Sequence, residues 1–551
     1  MQINIQAIYP ATYLNLLSQI MKELNLHGLV DRLVPTDAQC QTRPSDIVQL
    51  IVLDILSGRQ ALMHLESWAA QIDLEKLVRE GLTANQLNDD AIGRHLDRLH
   101  EAGIHEVVSS FLLRTYQTEK LPLCCFHGDT TSKSVYGAYE NPTDSLNITH
   151  GYSRDRVGAK QIQFGLIGNT DGIPLYADVH DGNTSDKEWN PDVLQKVHKQ
   201  LEKAELTDGF VYVADSAAMT QDTLKQVKSA KAYLLTRAPN QLKIVKEALA
   251  LAEMPETEWT EPFQSTEKTG VTYRCFETSA TYYGHDVRLI VVESSALDKR
   301  KEHTFTKRVA AEADTIAQAQ KQYLKTPFHC EADAKQALAA CEKELALRFH
   351  TLTAMITCSE QPKKKRGRPK KDAPIEMETT YQLALQATVN KEAVALERRR
   401  ASRFVLATTL PTVWLDRTMD GPELLSLYKG QIHVEMNFAF LKDPFYTDEI
   451  YLKKPERVKV LGYLFILALV IYRVFQRRIR QFITEEHPMK GVGGRKLTKP
   501  TSQVIFQLFQ YVQVVVFELP DGTKHRQFGK PLTYDQQRVL KGLGIDESVY
   551  L

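Results

Sequence analysis

Residues 121–129 read LPLCCFHGD. Seven residues without a charge run into Gly128-Asp129. An apolar run of this length with no polar alternation is the texture of a central strand covered on both faces. Its acid stands at the C-terminal end of the strand. Downstream, KQIQFGLIGN and GIPLYADVH form two strand-like runs joined by Asn169-Thr170-Asp171-Gly172, a hairpin signal. PDVLQKVHKQLEKA, 191–204, has helical periodicity with Pro191 near its start. GFVYVADS, 209–216, is a second apolar strand ending on an acid, Asp215. A helix near 219–229 and a strand AYLLTRA, 232–238, complete a mixed α/β core.

Upstream, residues 1–110 read as helical. Ser45 after Pro44 is placed to cap a helix through IVQLIVLDIL, with Gly58 as its stop. A second helix starts at Asn88-Asp89-Asp90 and ends at Gly103. Ile92, Leu96 and Leu99 form its apolar stripe, and Arg94, His95 and Arg98 lie off it. A basic helix among short helices suits a helix-turn-helix reader of DNA or a plain bundle with a solvated basic face.

Downstream of 240 the pattern breaks. RCFETSA and DVRLIVVES read as strands, and 299–347 as two helices with a break near Pro327. Residues 359–374 are a basic, proline-containing linker. Strand texture returns at 380–390 and 403–409. A helix begins after Gly421-Pro422 and carries YKGQIHVEMNFAFLK, 428–442. Tyr428, Gln431, Glu435 and Lys442 lie at offsets 0, 3, 7 and 14. On one continuous helix these project from a single face. LGYLFILALVIYRVF, 461–475, is short for a bilayer and ends among arginines, so a buried core helix is expected.

Composition limits the alternatives. The chain has 551 residues, 43% of them hydrophobic and 25% charged, with a formal charge of +1. That is a soluble, globular composition for about three or four domains. Contact with nucleic acid must come from local charge, as in KKKRGRPKK at 363–371. The seven cysteines include no CxxC pair, so neither zinc spacing nor a disulfide framework is indicated. Scattered thiols fit a reducing cytosol, and no signal peptide is read at the N-terminus.

Asp129 and Asp215 on adjacent parallel strands would stand side by side, with Glu435 from a distant helix as a third acid. Clustered carboxylates repel unless cations neutralise them. Hard oxygen donors favour Mg²⁺ or Mn²⁺, and two such ions suit phosphoryl transfer.

HGDTTS, YVADSA and YKGQIHVEMNFAFLK, with DGNTSD at 181–186 and LKDPFYTDEIYLKKPERV after the third acid, resemble the DDE transposases of bacterial insertion sequences. The resemblance is closest to the group marked by Tyr-x2-Arg-x3-Glu-x6-Lys. It implies an RNase H-like mixed-sheet catalytic core with a helical N-terminal domain and an inserted α+β domain. The expected boundaries are 1–115 (helical, DNA-binding), 116–239 and 396–485 (the two core parts), 240–395 (insertion) and 486–551 (C-terminal region). It implies that Asp129, Asp215 and Glu435 hold two Mg²⁺ (or Mn²⁺). Tyr428 and Lys442 would touch DNA phosphate. Gln431 stands where the group has arginine and can offer one amide hydrogen bond but no charge. Lys429, His433 or a basic group from elsewhere would then compensate.

Lys365, Arg366, Arg368 and Lys370 resemble an AT-hook, a form that lies in a narrow minor groove. In some relatives an aromatic residue of the insertion stacks on a flipped base. Core packing is the expected role of Trp259. The implied activity is cleavage at insertion-sequence ends and transfer of the 3′-hydroxyl into target DNA. The partners would be double-stranded terminal repeats and target DNA, with a homodimer on paired ends, no membrane and a cytoplasmic location. A nuclease without strand transfer and a non-catalytic DNA-binding protein are the alternatives.

Overall fold

The computed structural model describes residues 4–140, 145–152, 158–204, 209–264, 270–297, 299–325, 327–363, 377–491, 494–520 and 522–551. They divide into two compact units. One comprises Met1–Pro239, Thr281–Arg288 and Ala407–Leu551, and the other Asn240–Ala280 and Leu289–Leu406.

In the first unit, strand β1 (Asn4–Pro10) precedes helices α1 (Pro44–Leu56), α2 (Asp89–Glu101) and α3 (Ile104–Thr118). There follow β2 (Cys125–Ser134), β3 (Lys160–Gly168), β4 (Pro174–Asp181), α4 (Asp186–Lys203), β5 (Val211–Ala214), α5 (Gln221–Ser229) and β6 (Tyr233–Arg237). The last part holds α6 (Gly421–Lys429), α7 (Ile432–Lys442), α8 (Pro455–Phe482), β7 (Gln513–Glu518) and β8 (Lys524–Phe528).

The central strands run in the order β4-β3-β2-β5-β6. β3 is antiparallel to β2 and β4, whereas β2, β5 and β6 are mutually parallel. An antiparallel meander of three strands continued by two parallel ones is the RNase H-like arrangement, and the fold is α/β as the sequence indicated.

Helix α8 is the spine of this unit. Val460 to Gln476 is buried without a break. Among the described residues α8 is the one helix long and apolar enough to cross a membrane, and its apolar window is 89% buried inside the protein. It packs on α1, α2 and β4. Each buried Leu, Ile, Val or Phe contributes about 1.5–3 kcal/mol relative to exposure. Its basic end is paired: Arg478 reaches Glu119 at 2.7 Å and Arg477 reaches Asp171 at 3.0 Å.

Four local readings need correction. Residues Asn4–Pro10 are a strand, paired antiparallel with β7 from Asn4↔Glu518 to Pro10↔Gln513. Helix α1 is capped by Asp46, whose carboxylate accepts from Arg43 N at 2.9 Å, and not by Ser45. Helix α4 starts at Asp186, not near Pro191, because Ser185 and Glu188 form a capping box. His95 does not join a solvated basic face. It is 3% exposed, bonds Thr42 Oγ1 at 2.9 Å and has a pKa pushed down to about 4 by burial.

The second unit is the inserted α+β part. It contains helices Lys299–Lys325, Glu331–Leu345 and Lys391–Ser402. A long antiparallel pair, His350–Pro362 with Met377–Val389, runs in register from His350↔Val389 to Pro362↔Met377. The first of these strands was not anticipated. Trp259 lies between two guanidinium groups, Arg274 at 4.5 Å and Arg403 at 5.3 Å from its ring centroid. Glu293 bonds both arginines, at 2.9 and 2.8 Å. The seven cysteines are free thiols. Cys125, Cys275 and Cys341 are buried, while Cys330 and Cys358 are exposed.

Candidate active site

The register of the parallel strands brings the two aspartates together. His127 pairs with Val213, and Val213 with Leu235. Two residues further along each strand stand Asp129, Asp215 and Arg237. Neighbouring strands lie about 4.8 Å apart, so these three occupy one row, just beyond the last parallel pair of β2 with β5. β2 itself continues to Ser134, paired with β3, so Asp129 lies within the strand and not at its end as expected. The row is fixed locally. Asp215 caps a short 3₁₀ turn and accepts from Ala217 N at 2.9 Å, while its carbonyl accepts from Thr236 Oγ1 at 2.5 Å. Asp129 accepts from Thr130 N at 2.8 Å. The sequence reading did not single out Arg237, because its place in the row follows from register alone.

The third acid comes from α7, and the helix expected over 428–442 is two helices. α6 ends at Lys429 and α7 begins at Ile432. Across the joint the backbone tightens to three-residue bonds: Gln431 N to Tyr428 O at 3.2 Å, and His433 N to Gly430 O at 3.1 Å. Gly430 explains the break. A Cβ there would stand 2.7 Å from the His127 ring, so only glycine lets the joint press onto β2. His127 is fully buried and its pKa is pushed down to about 4, chiefly by burial and then by His433. The Gln431 amide nitrogen donates to Gly128 O at 3.1 Å.

The acids share one electrostatic neighbourhood. Burial pushes the Asp129 pKa up to about 7, and the charges of Asp215, Asp186 and Glu435 add to it. Tyr428 lies among the same groups. Burial raises its pKa, Arg237 opposes this, and Asp215, Glu435 and Asp129 reinforce it.

Asp186 is a fourth acid, and DGNTSD was its only sequence signal. Its carboxylate accepts from the Thr130 hydroxyl. Its carbonyl accepts from Asn190 Nδ2 at 2.6 Å, and Asn190 Oδ1 accepts from Tyr212 OH at 2.5 Å. Tyr212 in turn leaves room for glycine alone at 128, since a Cβ there would lie 2.5 Å from its ring.

Basic groups extend along β2. Lys133 lies on the same strand face as Asp129. Its pKa is pushed down to about 8 by burial, then by Arg59, with Lys442 adding. Its ammonium donates to Thr447 Oγ1 at 3.0 Å. Lys442 is thus placed near Lys133 at the far end of α7. Lys365, Arg366, Arg368 and Lys370 lie outside the described residues.

The donor set suits a hard divalent cation: carboxylate oxygens only, gathered in one electrostatic neighbourhood. Among the described residues, no group of three His, Cys, Asp or Glu side chains stands close enough to hold one ion as placed.

Residues 148–471 match the family described as Transposase DDE domain. The chain belongs to that family. A second match covers residues 4–113 and is described as a domain of unknown function, DUF4277. No curated protein matches the chain. Among solved structures, this transposase-family chain is similar to the piggyBac transposase synaptic complex with hairpin DNA, at 7% identity and a TM-score of 0.36. The similarity covers 93% of this chain and 82% of that one. It is also similar to a pre-cleavage Mos1 transpososome, at 12% identity and a TM-score of 0.15, covering 36% of this chain and 61% of that one. A Mos1 mariner paired-end complex with Mn is matched at 13% identity, with the same coverage and TM-score.

Proposed function

We propose that this protein is the transposase of an insertion sequence of the Tyr-x2-Arg-x3-Glu-x6-Lys group. It would cleave DNA at the element's ends and transfer the freed 3′-hydroxyl into target DNA. The observation that carries the reading is the row Asp129, Asp215 and Arg237, with Glu435 within electrostatic reach, in a chain of the DDE family.

Asp129, Asp215 and Glu435 would hold Mg²⁺ or Mn²⁺. Bound there, divalent ions activate the attacking oxygen and stabilise the leaving one. The protein's own groups then align the phosphodiester. Tyr428 offers its hydroxyl among the acids. Lys442 and Lys133 extend positive charge along β2 for the flanking phosphates. Arg237 supplies the guanidinium that the group's motif places at 431, and a bidentate fork suits phosphate. Thr130 and Asp186 brace β2 beside Asp129.

Further DNA contact is assigned to Arg94 and Arg98. Both line a polar hollow of about 230 Å³ with Gln41 and Asn88. Neither pairs with a carboxylate among the described residues. The run at 363–371 binds phosphate through clustered charge. Two copies of the chain would act on two paired ends.

The test uses pre-cleaved DNA carrying the inverted repeats that flank the reading frame, a supercoiled target plasmid and Mg²⁺. Joined product is expected from the wild-type protein and not from Asp215→Asn or Glu435→Gln. Joining by either variant at the wild-type level would sink the assignment. Cleavage without joining would favour a nuclease.

A further inference from the structure

We infer that Gln431 is a positioning residue that fixes the Glu435 helix against the Asp129 strand. It rests on the proposed function, but it gives Gln431 a part other than phosphate contact. The parallel ladder between β2 and β5 has its last pair at His127↔Val213. The next carbonyl along β2, Gly128 O, is taken by the Gln431 amide nitrogen at 3.1 Å. That carbonyl belongs to the peptide unit that leads into Asp129. Gln431 itself stands one turn before Glu435 and closes the turn, since Glu435 N donates to Gln431 O at 3.3 Å. One side chain therefore spans the two elements that carry the first and third acids.

The surroundings are built for this approach. Glycine is required on both sides: Gly430 by the His127 ring at 2.7 Å and Gly128 by the Tyr212 ring at 2.5 Å. The Gln431 side chain is enclosed beside the buried His127 ring, which interacts with it on the side away from Gly128. A glutamine with its amide turned inward makes a seam between helix and strand, and Arg237 stands in the row to meet phosphate instead.

The test compares full-length wild type, Gln431→Met and Gln431→Arg. Methionine matches the length of glutamine but has no N–H. Arginine restores a donor. Hydrogen exchange is read without DNA over residues 125–131 and 430–437. In Gln431→Met, exchange in these two segments should quicken by roughly tenfold and stay unchanged elsewhere. The Mn²⁺ concentration for half-maximal cleavage should rise about tenfold, the scale seen when a residue behind a metal ligand is lost. The affinity for end DNA should stay within about twofold, since no phosphate contact is removed. Gln431→Arg should recover both the slow exchange and the low metal requirement.

Wild-type exchange and metal requirement in Gln431→Met would overturn the inference. So would an effect confined to DNA affinity. If the wild type itself shows no metal-dependent cleavage, the proposed function has failed, and the exchange comparison still decides the role of Gln431.

Discussion

Gly430 is the residue whose replacement should be felt most sharply. Its φ of −57° is open to any residue, so the cost is purely steric. In Gly430→Ala the new methyl meets the buried His127 ring, and α7 must lift from β2. Overpacking of this kind costs about 1–3 kcal/mol. Thermal melts should register that loss, and end cleavage should fall by at least about tenfold, since a small misplacement at a reacting centre is amplified. Normal cleavage by Gly430→Ala would mean that the seam is not needed.

Asp54 offers a pH-dependent counterpart away from the site. It is 1% exposed, and burial pushes its pKa up to about 7, against a bond from Gln60 N and the charge of Arg59. The folded chain therefore holds the proton where the unfolded chain has released it. The carboxyl imposes no penalty below about pH 4. The penalty grows as pH rises towards 7 and is complete above it. Asp54→Asn should leave the melting temperature unchanged at pH 4. At pH 8 it should stabilise by up to about 4 kcal/mol, given that one pKa unit corresponds to about 1.4 kcal/mol. Equal shifts at both pH values would refute the assignment.

At the scale of elements, α7 is held by a buried polar chain as well as by its seam with β2. Arg473 Nε on α8 donates to Asn437 Oδ1 at 2.7 Å, and Asn437 Nδ2 donates to Gly172 O at 2.9 Å in the β3–β4 turn. Asn437→Leu leaves a buried guanidinium without its acceptor and should cost about 3–5 kcal/mol. Arg473→Met removes the charge as well and should cost less. The double variant should be milder than the sum of the two, a coupling that denaturant melts can measure.

These elements also mark what the sequence could and could not disclose. Asp129 and Asp215 were legible because each follows an uncharged run, and the succession of strands and helices along the chain followed from the texture of those runs. The break at 430 was hidden because a lone glycine is tolerated in a helix, and only His127, three hundred residues earlier, makes it a joint. His95 was misjudged because its partner, Thr42, lies in another segment. Asp186 and Arg237 joined the site through helix capping and strand register, neither of which leaves a periodic trace. β1 was missed because its pairing partner lies some five hundred residues downstream.

On the scale of the whole molecule, the first unit is closed by its two ends. β1 pairs with β7, Asn15 Nδ2 donates to Val549 O at 2.8 Å, and Tyr550 OH donates to Thr12 O at 3.2 Å. Tyr550 is 1% exposed and packs its ring on Phe528. Removing Glu547–Leu551 should lower the unfolding midpoint. It should also open residues 4–13 to limited proteolysis, since loss of a buried aromatic costs about 3–5 kcal/mol. Unchanged protection at those residues would show that the ends are independent.

That discontinuous construction has a consequence for synthesis on the ribosome. Asp215 and Glu435 are separated by 435 − 215 = 220 residues, which at about 5–20 residues per second take roughly 10–45 s to emerge. Throughout that interval the nascent chain carries two acids and lacks the third. The strand that seals its first residues emerges later still. A polypeptide released early, by truncation or a frameshift within the insertion, would leave the ribosome without Glu435. Completion of the chain is thus the step that arms the site, next to the messenger, and in bacteria next to the gene, that encoded it.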